Sequence, residues 1–393
     1  MTPAARTQAA IELLDAIIAS AAAGGAAADT LIARYFATRR YAGSKDRRAV
    51  RELVYAAIRH AGPVPASGRA AVLTLADSDP AVADSFDGST HGPAPIEPEE
   101  PRAAGGVAPA WLVEALDRSG LSAAQQAALI DRAPLDIRVN SLATTREAVL
   151  AEWPDAVATP LSPLGLRLPS GTPVEQSELY RAGLIEVQDE GSQLVGAALA
   201  AKPDEWLVDL CAGAGGKTLQ IGAAMDNRGA LLACDIDRAR LQRLAPRAER
   251  AGVTIVESRL LNPGREREML ADWAGKADGV LIDAPCSGTG TWRRNPEARW
   301  RLTPDRLDRL RGMQAQVLSV GAGLVKPGGR MVYIVCSLLD AEGRDQVDAF
   351  LAANRGWSVE TPTMGTPHGA GHRLDPATHG TDGFFVACLR APC

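Results

Sequence analysis

The chain has 393 residues, too many for one small domain and suited to two or three. Apolar residues at 46% and charged residues at 23% give a soluble, globular composition; no uninterrupted apolar run reaches membrane-spanning length, and Glu12 and Asp15 interrupt any secretory apolar core. A net charge of -5 argues against attraction of nucleic acid by the whole surface, so such a partner must be met by local patches.

Helical spacing of Ile11, Leu14, Ile17 and Ile18, and again of Leu53, Val54, Ala57 and Ile58, predicts an all-α unit over residues 1–76. Within it the run RYFATRRYAGSKDRRAVR, Arg34–Arg51, holds seven basic residues against one acid, with Tyr35, Phe36 and Tyr41 interleaved. Residues 77–106, rich in Pro, Gly, Asp and Glu and lacking apolar periodicity, predict a linker. Trp111–Leu129 then reads as helical, Leu135–Asn140 as a strand and Arg146–Trp153 as a helix, a small α+β module over 107–170. Over 171–393 helical segments alternate with the strands WLVDL, ALLACD, TIVE, GVLID and RMVYIV, with Phe384–Leu389 as a last strand. That alternation predicts an α/β domain with a mainly parallel sheet.

The first of these strands runs into Cys211-Ala212-Gly213-Ala214-Gly215-Gly216-Lys217-Thr218 and then a helical segment, which places a nucleotide-like ligand at a helix amino terminus. A Walker A loop needs glycine where Cys211 stands, and a dinucleotide fingerprint needs a third glycine where Thr218 stands. The remaining candidate is a methyltransferase. Asp235 ends the second strand, nineteen residues after Gly216, where an acid can accept from both ribose hydroxyls of an adenosine; the competing role is a cap for the helix beginning near Arg238.

Six cysteines, Cys211, Cys234, Cys286, Cys336, Cys388 and Cys393, include no CxxC pair and read as reduced thiols of a cytoplasmic chain. Cys211, Cys234 and Cys388 suit small buried hydrophobes. Cys286, in GVLIDAPCSGTG, and Cys336, in RMVYIVCSLL, instead fall at the carboxyl ends of neighbouring strands, where open α/β sheets place their chemistry. Carbon 5 of a pyrimidine is a poor nucleophile until a thiolate adds to carbon 6, so methylation there requires a cysteine. Asp283 can hydrogen-bond the N3 and N4 edge of cytosine and select against uracil. Amino-group methyltransferases carry Pro-Pro and an aromatic at this strand end, so Cys286 argues against adenine chemistry.

Taken together, IRVNS from Ile137, VQDEGSQ from Val187, DLCAGAGGKT from Asp209, DAPCSGTGTWRRNPE from Asp283, KPGGRMVYIVCSL from Lys326 and GTDGFFVACL from Gly380 resemble the Sun-type RNA cytosine-5 methyltransferases, the family of bacterial RsmB and eukaryotic NSUN enzymes. The resemblance covers Trp111 to the end. It implies an α/β fold: a Rossmann-like class I methyltransferase domain with a small α+β RNA-binding module and an N-terminal all-α extension. It also implies that Cys336 is the nucleophile, that Cys286 assists release of the methylated RNA, and that Cys211, Ala212, Gly213, Ala214, Gly215, Gly216, Lys217 and Asp235 hold S-adenosyl-L-methionine, with Asp283 between cofactor and base. Three places depart from the family pattern. No aspartate follows the third strand at Glu257–Asn262, Val335 replaces threonine before the nucleophile, and Ala341-Glu342-Gly343 replaces Glu-Glu-Asn.

RNA contacts are expected from Arg293 and Arg294, with Arg299, Arg301, Trp292 and Trp300 nearby, unless that run is a solvated helix face. Arg138 and Asn140 are a second candidate, and Arg39, Arg40, Arg47 and Arg48 a third, in a region resembling the helical RNA-binding extension of the bacterial ribosomal-RNA members. The expected partner is RNA, ribosomal RNA first and transfer RNA as the alternative, with no membrane, no metal and a monomeric chain. An assembly factor that binds RNA without catalysis is the competing class.

Overall fold

The computed structural model describes residues 1–393 and comprises two units: Met1–Arg132 with Thr291–Pro304, and Ala133–Gly290 with Asp305–Cys393. No helix is long and apolar enough to cross a membrane.

The first unit is built on helices α1 (Pro3–Ala22), α2 (Ala28–Ala37), α3 (Ser44–His60) and α4 (Gly68–Ala76). Thr2 caps α1 by accepting from the Ala5 amide at 3.1 Å, and Pro3 takes the position where no amide is needed. The spacing that predicted these helices also directs their burial, with Leu13, Leu14, Ile17, Val54, Ile58 and Leu73 in one core. Gly68 lets α4 start against α1, since a Cβ there would lie 2.2 Å from the Ile11 carbonyl oxygen.

Residues 77–106 are not the free linker expected from their composition. They hold a short helix, Pro80–Ala83, and fold back along α4: Arg69 donates to Glu100, Ala94 and Pro95, the Ala103 amide donates to Thr74, and Phe86 is buried. Side chains of α4 satisfy this segment, so it needs no apolar periodicity of its own.

The basic run 293–301 also differs from the exposed strip expected for phosphate contact. Trp292 and Arg299 are fully buried, Arg293 and Trp300 are buried, and Arg294 is half-buried. Arg299 donates to the carbonyls of Pro296 at 2.6 Å, Ile58 at 2.6 Å and Ala61 at 2.8 Å, closing the carboxyl end of α3. Arg301 donates to Gly25 and Ala26, while Glu297 accepts from the Ala28 amide at 2.9 Å, capping α2, whose own Ala27 cannot. Cations thus meet helix carboxyl ends and an anion meets an amino end. Arg299→Met leaves those carbonyls without donors and is expected to destabilise the protein by about 3 kcal/mol. An unchanged urea midpoint would show that the arginine is not the splint.

In the second unit, strands β1 (Leu135–Val139), β2 (Val157–Ala158), β3 (Gly165–Leu168) and β4 (Ile185–Val187) form an antiparallel sheet in the order β2-β3-β1-β4. Its last strand lies beyond residue 170, where the small module was expected to end. Ile137, Val139, Leu166 and Ile185 form its core.

The larger sheet carries β5 (Trp206–Asp209), β6 (Ala230–Asp235), β7 (Val256–Leu260), β8 (Ala277–Asp283) and β9 (Val325–Val335), all parallel, in the order β9-β8-β5-β6-β7. Strand β13 (Phe384–Arg390) runs antiparallel beside β9; β12 (Gly371–Leu374) and β11 (Thr366–His368) follow, and β10 (Ser358–Glu360) pairs with β13. Val280 and Ile282 enter one core cluster and Leu281 another, so both faces are covered, as the unbroken apolar strands require. After β7 the chain crosses to the other side of β5, and the carboxyl ends of β5 and β8 flank the crevice at that reversal.

Candidate active site

The glycine loop lies between β5 and the helix Gly216–Ala224. Gly213 and Gly215 have φ of +55° and +88°, and a Cβ at Gly215 would meet Leu244 at 2.2 Å, so both turns need glycine. A Cβ at Gly216 would meet nothing within 4 Å, which leaves the helix amino terminus bare toward the crevice. Asp235 is buried and closes this loop: one oxygen accepts from the Gly213 amide at 2.7 Å and the other from the Asp237 amide at 2.7 Å. The cap of the helix Arg238–Leu241 is Asp237, not Asp235.

Asp209 ends β5, and within WLVDL nothing local marks it as a site residue. It is buried, one oxygen accepts from Thr218 Oγ1 at 2.7 Å, and the other has no partner. Burial raises its pKa to about 7. An unfolded aspartate titrates near 3.9, so between about pH 4 and pH 7 the folded chain holds the extra proton. Stability should therefore fall as pH rises through that window and level off above it. Asp209→Asn should flatten the slope of Tm between pH 5 and pH 8, and a variant as pH-sensitive as the wild type would rule this carboxyl out as its source.

Strands β8 and β9 are in register with Asp283 opposite Ile334, so the residues leaving their carboxyl ends emerge side by side. Cys286 and Cys336 meet there, both half-buried, with their sulfurs 3.3 Å apart. The hydrogen bond with Cys336, together with burial, pushes the Cys286 thiol well above the usual range. Lys217 reaches across from the glycine loop, its Nζ 2.6 Å from Asp283 Oδ2. Burial alone would lower its pKa, but Asp283 and, more weakly, the Cys336 sulfur raise it, so an ammonium is held beside both. Cys234 and Cys388 are buried, and desolvation pushes both thiols up, as it does Cys211.

Arg138 and Asn140 are not presented to RNA. Arg138 is 3% exposed, and its guanidinium donates to the Gly216 carbonyl at 3.0 Å and to Gln188, while desolvation lowers its pKa to about 10. It holds the start of the loop helix. Asn140 donates to the carbonyls of Gly183 and Ala251, both at 2.8 Å, and accepts from the Leu142 amide. Alternation within a strand does not tell which face a neighbouring helix will cover, and here both side chains turn inward.

On the first unit, Arg40, Arg47 and Arg48 are exposed, as is Tyr41 at 73%, whereas Arg39 lies 3.6 Å from the Tyr35 ring centroid and pairs with Glu12. The departures at the strand ends also find a place: Val335 is buried in the sheet core, a Cβ at Gly343 would strike Phe385 at 2.7 Å, and Glu257 is exposed and paired with Arg259.

A parallel sheet reversing at β5 and β8, a glycine loop at the reversal and an acid ending β6 define a Rossmann-like methyltransferase. Residues 196–390 match the family described as 16S rRNA methyltransferase RsmB/F. The chain is 35% identical over 290 residues to ribosomal RNA small subunit methyltransferase B of Xylella fastidiosa, covering 72% of this chain and 68% of that one. It is 34% identical over 300 residues to the probable ribosomal RNA small subunit methyltransferase B of Synechocystis, covering 72% and 66%. The alignments thus span about two thirds of those relatives' length. The crystal structure of PH0851 shares the fold, with a TM-score of 0.78 over 99% of both chains at 24% identity. The chain belongs to the RsmB/F family.

Proposed function

We propose that this protein methylates carbon 5 of a cytosine in small-subunit ribosomal RNA, with S-adenosyl-L-methionine as methyl donor and Cys336 as nucleophile. The observation that carries this reading is the pair of thiols 3.3 Å apart beside the Lys217–Asp283 ion pair. The loop fits the donor: a bare helix amino terminus at Gly216, the Asp235 carboxylate and the unpartnered oxygen of buried Asp209 offer the acceptors that hydroxyls and an ammonium require. When bound, S-adenosyl-L-methionine supplies an electrophilic methyl group. Cys336 adds through sulfur to carbon 6, which makes carbon 5 a nucleophile; loss of the carbon 5 proton to a base then lets the carbon–sulfur bond break. Cys286, its own thiol pushed well above the usual range, stands 3.3 Å from the Cys336 sulfur, and the Lys217 ammonium adds a cation to the same site. Asp283 accepts from the cytosine edge, and Lys217 fixes its orientation.

In this reading Arg40, Arg47 and Arg48, with Tyr41, contact RNA phosphates and a base, and the compartment is the bacterial cytoplasm, where free thiols persist. The test is incubation of the purified protein with S-adenosyl-L-methionine and either unmodified 16S rRNA or tRNA, followed by nucleoside mass spectrometry. 5-Methylcytosine in the ribosomal transcript is expected. Methylation of tRNA alone would move the substrate, and none in either RNA would leave a binding protein instead.

A further inference from the structure

Behind the two cysteines lies a carboxylate with no access to solvent. Glu342 is 0% exposed, and its two oxygens face four donors. One oxygen accepts from the Ser287 amide at 2.8 Å and from Gln314 Nε2 at 3.0 Å. The other accepts from Ser337 Oγ at 2.5 Å and from Ser287 Oγ. Ser287 follows Cys286 and Ser337 follows Cys336, so a single side chain ties together the two residues next to the two thiols. The ties are reinforced by Thr289 Oγ1, which donates to Ser337 Oγ at 3.1 Å and accepts from the Leu338 amide at 2.8 Å. Glu342 is itself pinned, because Tyr333 OH donates to its carbonyl at 2.7 Å and Gly343 packs on Phe385.

Burying a carboxylate is costly, and an apolar side chain of the same size would usually stabilise the fold as well or better. What an apolar side chain cannot do is hold two loops at one separation through hydroxyl donors from each. We infer that Glu342 is a positioning residue that sets the spacing of the Cys286 and Cys336 thiols. Its importance for turnover rests on the cysteine chemistry proposed above; the spacing itself does not.

Phenylarsine oxide tests the spacing without turnover. Its arsenic forms one bond to each of two nearby thiols, and its oxygen leaves as water with their two protons. With the full chain, intact-mass spectrometry should show one arsenical per molecule, absent in Cys286→Ala and in Cys336→Ala. In Glu342→Gln the bridging rate should fall by about tenfold or more, and kcat for RNA methylation by about 10²-fold, the effect of misplacing a reacting group by an ångström, with KM for the methyl donor within about twofold. Ser337→Ala added to Glu342→Gln should cost little more, because both act through one contact. If Glu342→Gln does not fold, the Ser287→Ala/Ser337→Ala variant, which keeps the carboxylate, carries the same test. Bridging at the wild-type rate in a folded variant overturns the inference. Slow bridging in the variant, with no 5-methylcytosine from the wild type, would uphold Glu342 and reject the proposed function.

Discussion

Replacing Cys336 with alanine is expected to lower 5-methylcytosine formation by on the order of 10⁴-fold or more, while leaving the fold and binding of the methyl donor unchanged. The size follows from the role: without a thiolate on carbon 6, carbon 5 remains part of an aromatic ring and no other group in the crevice can make it nucleophilic. Cys286 does not substitute, because burial still pushes its thiol up after the hydrogen bond with Cys336 is lost. Donor binding should survive because the loop contacts that hold Asp235 to Gly213 and Asp209 to Thr218 do not involve Cys336. Isothermal titration with S-adenosyl-L-methionine, alongside nucleoside mass spectrometry, separates the two effects. A Cys336→Ala variant with substantial turnover would assign the nucleophile elsewhere.

Cys286→Ala has the opposite signature. The nucleophile remains, the carbon–sulfur bond to carbon 6 forms and the methyl group is transferred, but release loses the thiol 3.3 Å from the sulfur that must leave. Turnover should fall by about 10²-fold, the usual loss when a positioned proton-transfer group is removed. A protein–RNA adduct that survives denaturing electrophoresis should accumulate. Adding Cys336→Ala should abolish the adduct, which identifies the bonded sulfur. Cys286→Ala turning over freely without an adduct would strip Cys286 of its part in release.

Much of the site could be read from the chain. The glycine loop, Asp235, Asp283 and the two cysteines are local features: each sits at a strand end or turn whose type is written in a few adjacent residues, and the parallel sheet brings such ends together. The choice between the two cysteines was not local and came from resemblance to a family. Of the polar side chains whose types suit RNA, only some stay in solvent. Arg138, Asn140, Arg293 and Arg299 have the composition of a nucleic-acid surface, but here they serve backbone carbonyls or lie in the interior. Guanidinium groups suit phosphates and helix carboxyl ends equally well, and only packing decides which they meet.

Glu342 shows the same limit from the other side. Read along the chain, it is what remains of a family Glu-Glu-Asn; folded, it accepts from residues 55 and 5 positions away, each beside a thiol. A hint was present in the repeated Cys-Ser dipeptide, Cys286-Ser287 and Cys336-Ser337, but nothing in either segment says that the two serines share an acceptor. By itself the sequence determined the helical first region, the alternating α/β sheet, the donor loop and the residue types available for chemistry, because these depend on spacing within one segment. The tertiary structure alone decided which basic residues stay in solvent, that residues 77–106 fold back on α4, and that one carboxylate spans two cysteine loops. Those outcomes depend on contacts between segments far apart in the chain, and no local pattern records them.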